Sequence, residues 1–174
     1  MCAARCPDTP LARAQLFRQG KYELAKDKYK LVLGMLEQAR PETLEEWNMN
    51  DAEKIPTLLN YANVCSKLGD QREAIKYCDK LLRFDEQNVK GLYRRGMCYL
   101  LLDDHENAQE NFEAMRDAGG ETYTADVEAA FDKLQRSRDD AKLREKREYK
   151  AMFDKKKEIE VRLHISHSRD TVSE

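Results

Sequence analysis

Two stretches in the middle of the chain match each other at a fixed interval of 34 residues. The small residues Ala62 and Gly96 stand 34 positions apart, and Ala74 and Ala108 repeat the same interval. Small side chains at matching places let two helices approach closely, where a larger side chain would push them apart. The repeating unit is therefore expected to be a pair of packed helices, and such units bury their apolar faces by stacking on their neighbours.

The apolar residues elsewhere also recur at helical spacings. Short polar breaks separate these stretches, for example at Gly20-Lys21 and Gly69-Asp70. Only 7 glycines and 4 prolines occur in 174 residues, which disfavours a turn-rich all-β fold. The period of 34 residues is that of the tetratricopeptide repeat. We therefore predict an all-α fold, an α-solenoid of three tetratricopeptide helical hairpins with a long C-terminal capping helix.

The first repeat carries an insertion. Gly20 corresponds to Gly69, but the two stand 49 residues apart, which is 15 more than the period. The surplus falls between Leu33 and Ile55, and we interpret it as an overlong second helix followed by a loop. Trp47 is expected to anchor that loop against the hairpins.

After the third repeat, the sequence from residue 124 to residue 163 has no glycine or proline and is dominated by charge. The expected organisation is an irregular N-terminal segment at residues 1–10, a three-repeat domain at 11–120, a capping helix at 121–163 and a frayed tail at 164–174.

Several classes of function are disfavoured by composition. The net charge of −2 gives no global excess of positive charge, so nucleic-acid binding is not expected. No apolar run approaches the roughly 20 residues that a membrane span needs. The five cysteines lack CxxC spacing, and His164 and His167 have no third ligand nearby in sequence, so we expect neither a metal site nor a cofactor. We expect a cytoplasmic location, with the nucleus as a further one.

Four segments together carry a family resemblance. They are LLNYANVCSKLGD at residues 58–70, KGLYRRG at 90–96, REYKAMF at 147–153 and the extended first repeat. With them, the chain resembles the C-terminal tetratricopeptide domain of the large tacrolimus-binding immunophilins and their aryl-hydrocarbon-receptor-interacting relatives. The resemblance implies a carboxylate clamp, a set of basic and amide side chains that binds the acidic C-terminal peptide of heat-shock protein 90 or heat-shock protein 70.

The resemblance places three clamp positions on residues of the matching type. Asn60 takes the place of the second-repeat amide, and Lys90 and Arg94 take the places of the third-repeat lysine and arginine. Lys90 and Arg94 are four residues apart, so one helical face carries both. An arginine can contact a carboxylate through two hydrogen bonds.

The first-repeat half of the clamp is missing. Its lysine and asparagine fall on Pro10 and Ala14. Arg13 and Arg18 are the candidates for accessory contacts that would compensate. The carboxylate clamp is therefore expected to be partial.

Other functions remain open at this point. The family's isomerase activity belongs to a separate β-rich domain that this sequence does not contain, so we predict a non-catalytic module or the non-catalytic part of a peptidyl-prolyl isomerase. A scaffold that binds a partner helix or an internal segment, independently of chaperones, is the alternative. The basic and moderately amphipathic segment at residues 146–163 is also a candidate for binding calmodulin.

Overall fold

The protein is described here by a computed structural model that covers residues 9–40 and 42–170, with the side chains of Trp47 and of residues 161–170 excluded. Every regular element in these residues is helical, as predicted. The helices are α1 Pro10–Arg18, α2 Tyr22–Gln38, α3 Leu44–Lys67, α4 Gln71–Leu82, α5 Val89–Leu101, α6 His105–Gly119, a short 3-10 helix Gly120–Tyr123, and α7 Thr124–Asp170.

Consecutive helices pack as three hairpins, α1 with α2, α3 with α4, and α5 with α6. The turn inside each hairpin needs one residue with a positive φ, a backbone region that glycine adopts without strain. Gly20 has a φ of 74° and Gly69 a φ of 86°, and Asp103 holds the equivalent place in the third hairpin with a φ of 59°. The three hairpins therefore share the backbone conformation of their turns as well as their sequence pattern.

The small residues of the repeat lie where the two helices of a hairpin approach each other. Ala74 and Ala108 are fully buried and Ala62 nearly so. A Cβ atom added to Gly96 would come within 2.5 Å of Cε1 of Phe112. The close approach predicted from the 34-residue interval is confirmed.

The insertion after the first repeat differs in part from its prediction. α2 has 17 residues against 12 in α4, so the second helix of this repeat is overlong as expected. The expected loop, however, is short, because α2 ends at Gln38 and α3 already begins at Leu44. Thr43 caps this helix by accepting a hydrogen bond from the Glu46 amide at 3.2 Å, and Glu45 and Glu46 lie at its positive N-terminal end. The proposed contact of Trp47 falls on a side chain outside the described residues.

The first turns of α7 complete the buried core. Val127, Ala130 and Leu134 are buried, and they belong to the clusters that contain Leu92 and Phe112. Residues 135–170 form a second unit with its own internal contacts. The helical backbone continues to Asp170, beyond residue 163, where we expected the capping helix to end.

Candidate functional site

A groove of about 550 Å³ lies between α3 and α5 and is bordered by the beginning of α7. Its lining combines charged and amide groups with apolar side chains. The lining consists of Ala62, Asn63, Ser66 and Lys67 from α3, Val89, Lys90, Tyr93, Arg94, Met97, Cys98 and Leu101 from α5, and Met115, Tyr123 and Asp126 from the elements that follow.

Lys90 and Arg94 both line this groove, as the helical spacing predicts. Lys90 is exposed, whereas Arg94 is half-buried and its Nε atom is buried without a hydrogen-bond partner among the described residues. Within residues 9–40 and 42–170, neither side chain forms an ion pair. Burial lowers the pKa of the Arg94 guanidinium, yet the group stays charged, because guanidinium groups are not deprotonated in proteins. The groove thus contains a cation whose hydrogen-bonding capacity is not used internally.

Local sequence fixes the position of these two cations. Asn88 caps α5 by accepting a hydrogen bond from the Gly91 amide at 2.9 Å. Gly91 in turn packs closely on the second repeat, since an added Cβ would come within 2.5 Å of Cδ2 of Leu81. Lys90 therefore lies in the first turn of a helix whose start is fixed both by the Asn88 cap and by packing on α4.

The neighbouring Arg95 has a different environment. Its Nε donates to Oδ1 of Asn111 at 2.6 Å, and its Nη1 lies 2.8 Å from Oδ1 of Asp79. These bonds join α5 to α4 and α6, so Arg95 is a structural residue. Arg94, in contrast, lines the groove.

The other three candidate residues are not among those that line the groove. Asn60 is half-buried on α3, where Asn63, one turn later, lines the groove. Arg13 is buried, pairs with Glu53 and lies 5.6 Å from the centroid of the Tyr29 ring. Its guanidinium joins α1 to α2 and α3, an internal role that differs from the expectation that it compensates for the missing clamp residues. Arg18 is exposed at the end of α1.

Asn63, Ser66, Lys67 and Asp126 also line the groove and were missed by the sequence reasoning. Asn63 and Lys67 stand 34 residues before Met97 and Leu101, so equivalent positions of two repeats face the groove, but only the structure shows that they do. Asp126 follows the last repeat, and no periodic signal points to it. This carboxylate makes the groove less positive than its lysines and arginine alone suggest.

Comparison with known proteins identifies the repeats. A model of the tetratricopeptide repeat family matches residues 55–88 and 89–114. This chain carries a tetratricopeptide-repeat domain. It is 33% identical over 144 residues to the human peptidyl-prolyl cis-trans isomerase FKBP4, and 37% identical over 101 residues to PASTICCINO1, an isomerase of Arabidopsis thaliana. These matches cover 83% and 58% of the chain, which spans only 31% and 16% of the two relatives.

Solved structures have the same fold at low sequence identity. The C-terminal TPR-containing domain of a Plasmodium falciparum FK506-binding protein superposes with a TM-score of 0.64 at 22% identity, covering 75% of this chain and 86% of that domain. The TPR2B domain of yeast Sti1 gives a TM-score of 0.57 at 18% identity, covering 72% and 92%. The resemblance to the tetratricopeptide domain of the large immunophilins is confirmed.

The matched region has a consequence for catalysis. It is the tetratricopeptide region of the FKBP-type isomerases and not their isomerase domain, so this domain is a non-catalytic protein-interaction module. Among the helices of the described residues, none combines the length and the apolar character that a bilayer crossing requires.

Proposed function

We propose that this domain binds the free acidic C-terminus of heat-shock protein 90 or heat-shock protein 70, with Lys90 and Arg94 contacting the terminal carboxylate. The observation that carries the proposal is that Arg94 lines the groove and forms no ion pair within the described residues. A guanidinium without an internal acidic partner can contact a bound carboxylate through two hydrogen bonds. The TPR2B domain of Sti1, a neighbour in fold, was solved in complex with pHsp70.

The missing first-repeat residues set the expected affinity. A hydrogen bond to a charged group contributes about 1.5–3 kcal/mol. Loss of the two contacts that Pro10 and Ala14 cannot make removes about 3–6 kcal/mol, which is at least about a hundredfold in the dissociation constant. A clamp that would otherwise bind at micromolar concentration is then expected to bind at roughly 100 µM or more weakly.

Isothermal titration calorimetry with a chaperone C-terminal peptide ending in Glu-Glu-Val-Asp tests the proposal. Wild-type protein should bind the peptide with a free C-terminus, and the double variant Lys90→Ala/Arg94→Ala should not. Lys76→Ala is the matched control, since Lys76 is an exposed lysine of α4 that does not line this groove. Equal binding by the double variant and the wild type would contradict the proposal.

A chaperone-independent scaffold is the second candidate. It is favoured by Pro10 and Ala14 at the missing clamp positions and by the internal role of Arg13. Pull-down with full-length heat-shock protein 90 and with a form that lacks its last residues separates the two functions. Our proposal requires the truncation to abolish capture, whereas a scaffold would capture both forms or neither. If the partner is a chaperone, we expect this protein to be located in the cytoplasm and the nucleus.

Residues 135–160 offer a different type of contact. Tyr149, Met152, Phe153 and Ile159 are at least half exposed, and lysines and arginines surround them. A basic helix with exposed apolar residues is typical of calmodulin targets. We propose calmodulin as a further partner, to be tested by titrating the full chain with calcium-loaded calmodulin. The variant Met152→Glu/Phe153→Glu should lose the interaction, and binding that persists in the variant or without calcium would contradict it.

A further inference from the structure

A third cation lines the groove at a distance from the first two. Lys67 lies in the last turn of α3, is exposed, and forms no ion pair with any other residue in the described part of the chain. Lys67 and Leu101 occupy equivalent positions in successive repeats, because they are 34 residues apart. Successive repeats run in the same direction, so Lys67 marks the end of the groove where Leu101 lies.

The separation of the cations can be estimated from helix geometry. Lys90 and Leu101 are eleven residues apart on α5, which at 1.5 Å per residue corresponds to roughly 16 Å. An extended peptide advances about 3.3 Å per residue, so the two ends of the groove are about five peptide residues apart. The side chains between the ends are mainly apolar, with Tyr93 and Met97 on α5 and Met115 beside them.

We propose that Lys67 is a second anion contact, which binds an acidic side chain about four to six residues before the ligand's terminal carboxylate. The inference rests on the proposed function, since it takes the terminal carboxylate to lie at Lys90 and Arg94. Asn63, one turn before Lys67 in the same groove, is placed to donate a hydrogen bond to the peptide backbone between the two contacts. The groove then recognises the spacing of two negative charges rather than one charged terminus.

The competing role for Lys67 is local. A lysine in the last turn of a helix interacts favourably with the negative end of the helix dipole. That interaction would change the melting temperature of the protein but not its preference among peptides. A peptide series that moves a single charge therefore distinguishes the two roles.

The experiment uses the full chain and ten-residue synthetic peptides that all end in a free Val-Asp. One glutamate is moved through positions three to eight before the last residue, and glutamine replaces it in a reference peptide. Affinity should peak about four to six residues before the end, at about fivefold above the glutamine reference, which is the upper range for an exposed ion pair. Lys67→Ala should remove the peak without changing the affinity for the reference, Lys67→Arg should restore it, and Lys76→Ala should leave it intact.

Each alternative outcome overturns the inference. A flat affinity profile in the wild type, or a peak that survives Lys67→Ala, contradicts the second anion contact. The proposed function still stands in that case if Lys90→Ala weakens binding of the reference peptide. Absence of binding to every peptide in the series contradicts the inference, and the titration with a peptide ending in Glu-Glu-Val-Asp then decides separately whether the proposed function stands.

Discussion

Replacement of Gly96 by alanine tests the packing on which the whole repeat depends. The new Cβ would lie 2.5 Å from Cε1 and 2.9 Å from Cδ1 of Phe112, well inside normal contact. Phe112 cannot move aside easily, because it is fully buried and its ring lies 6.1 Å from the ring of Phe131 and 6.4 Å from that of Tyr93. Gly96→Ala should therefore strain the interface of α5 and α6, although alanine is the better helix former.

The two effects have opposite signs, and the structure decides their balance. Overpacking of a core costs about 1–3 kcal/mol, whereas glycine to alanine inside a helix gains about 1 kcal/mol. The expected net loss is up to about 2 kcal/mol in the free energy of unfolding, or up to about 8 °C in melting temperature. Gly34→Ala is the control, because Gly34 lies inside α2 and its added Cβ meets no atom within 4 Å.

Circular dichroism during urea and thermal unfolding measures both variants. Gly34→Ala should raise the free energy of unfolding by about 0.5–1 kcal/mol, since only the helix-propensity gain applies. Gly96→Ala should lower it. If both variants are stabilised to the same extent, the close approach of the two helices is not the constraint that explains the small residues of the repeat.

Three further predictions concern single side chains. Thr43→Ala should destabilise the start of α3 by about 1 kcal/mol through loss of its cap on the Glu46 amide, measured as lost helical content and a lower urea midpoint. Hydrogen bonds from Lys26 and the Tyr61 hydroxyl lower the pKa of Glu73 below its ordinary value of 4.5. The stabilisation that Glu73 provides is therefore present above pH 4.5 and is lost as the pH falls through the lowered pKa. Lys26→Met should weaken that acid dependence in urea unfolding between about pH 6 and pH 3. Asp126→Asn removes from the groove a charge of the same sign as an acidic peptide. It should therefore tighten binding of such a peptide by about two- to fivefold in calorimetry. Unchanged or weaker binding would show that this carboxylate does not oppose the ligand.

The repeat register accounts for most of what the sequence could predict. Because small residues recur every 34 positions, the register placed Gly96 against the second helix of its hairpin. The four-residue spacing of Lys90 and Arg94 put both on one helical face. The start of α3 was missed although a signal existed, since Thr43 followed three residues later by Glu46 is the pattern of a helix N-terminus. The acidic composition of that segment favoured a loop, but carboxylates also stabilise the first turn of a helix.

Contacts between distant positions could not be predicted in the same way. Arg13 pairs with Glu53 across 40 residues, and that interval is unrelated to the 34-residue period because the insertion intervenes. Asp126 reaches the groove from a helix that follows the last repeat. Both positions depend on how helices stack rather than on any local pattern, so only a structure could place them.

The central claim is that the Arg94 guanidinium contacts the terminal carboxylate of a bound chain. A double-mutant cycle measures this contact directly, by combining Arg94→Ala with amidation of the C-terminus of a Glu-Glu-Val-Asp peptide and titrating all four pairs by calorimetry. Direct contact predicts a coupling energy of about 1.5–3 kcal/mol, since each change removes the same interaction. A coupling energy near zero, with the two changes acting additively, would contradict the account.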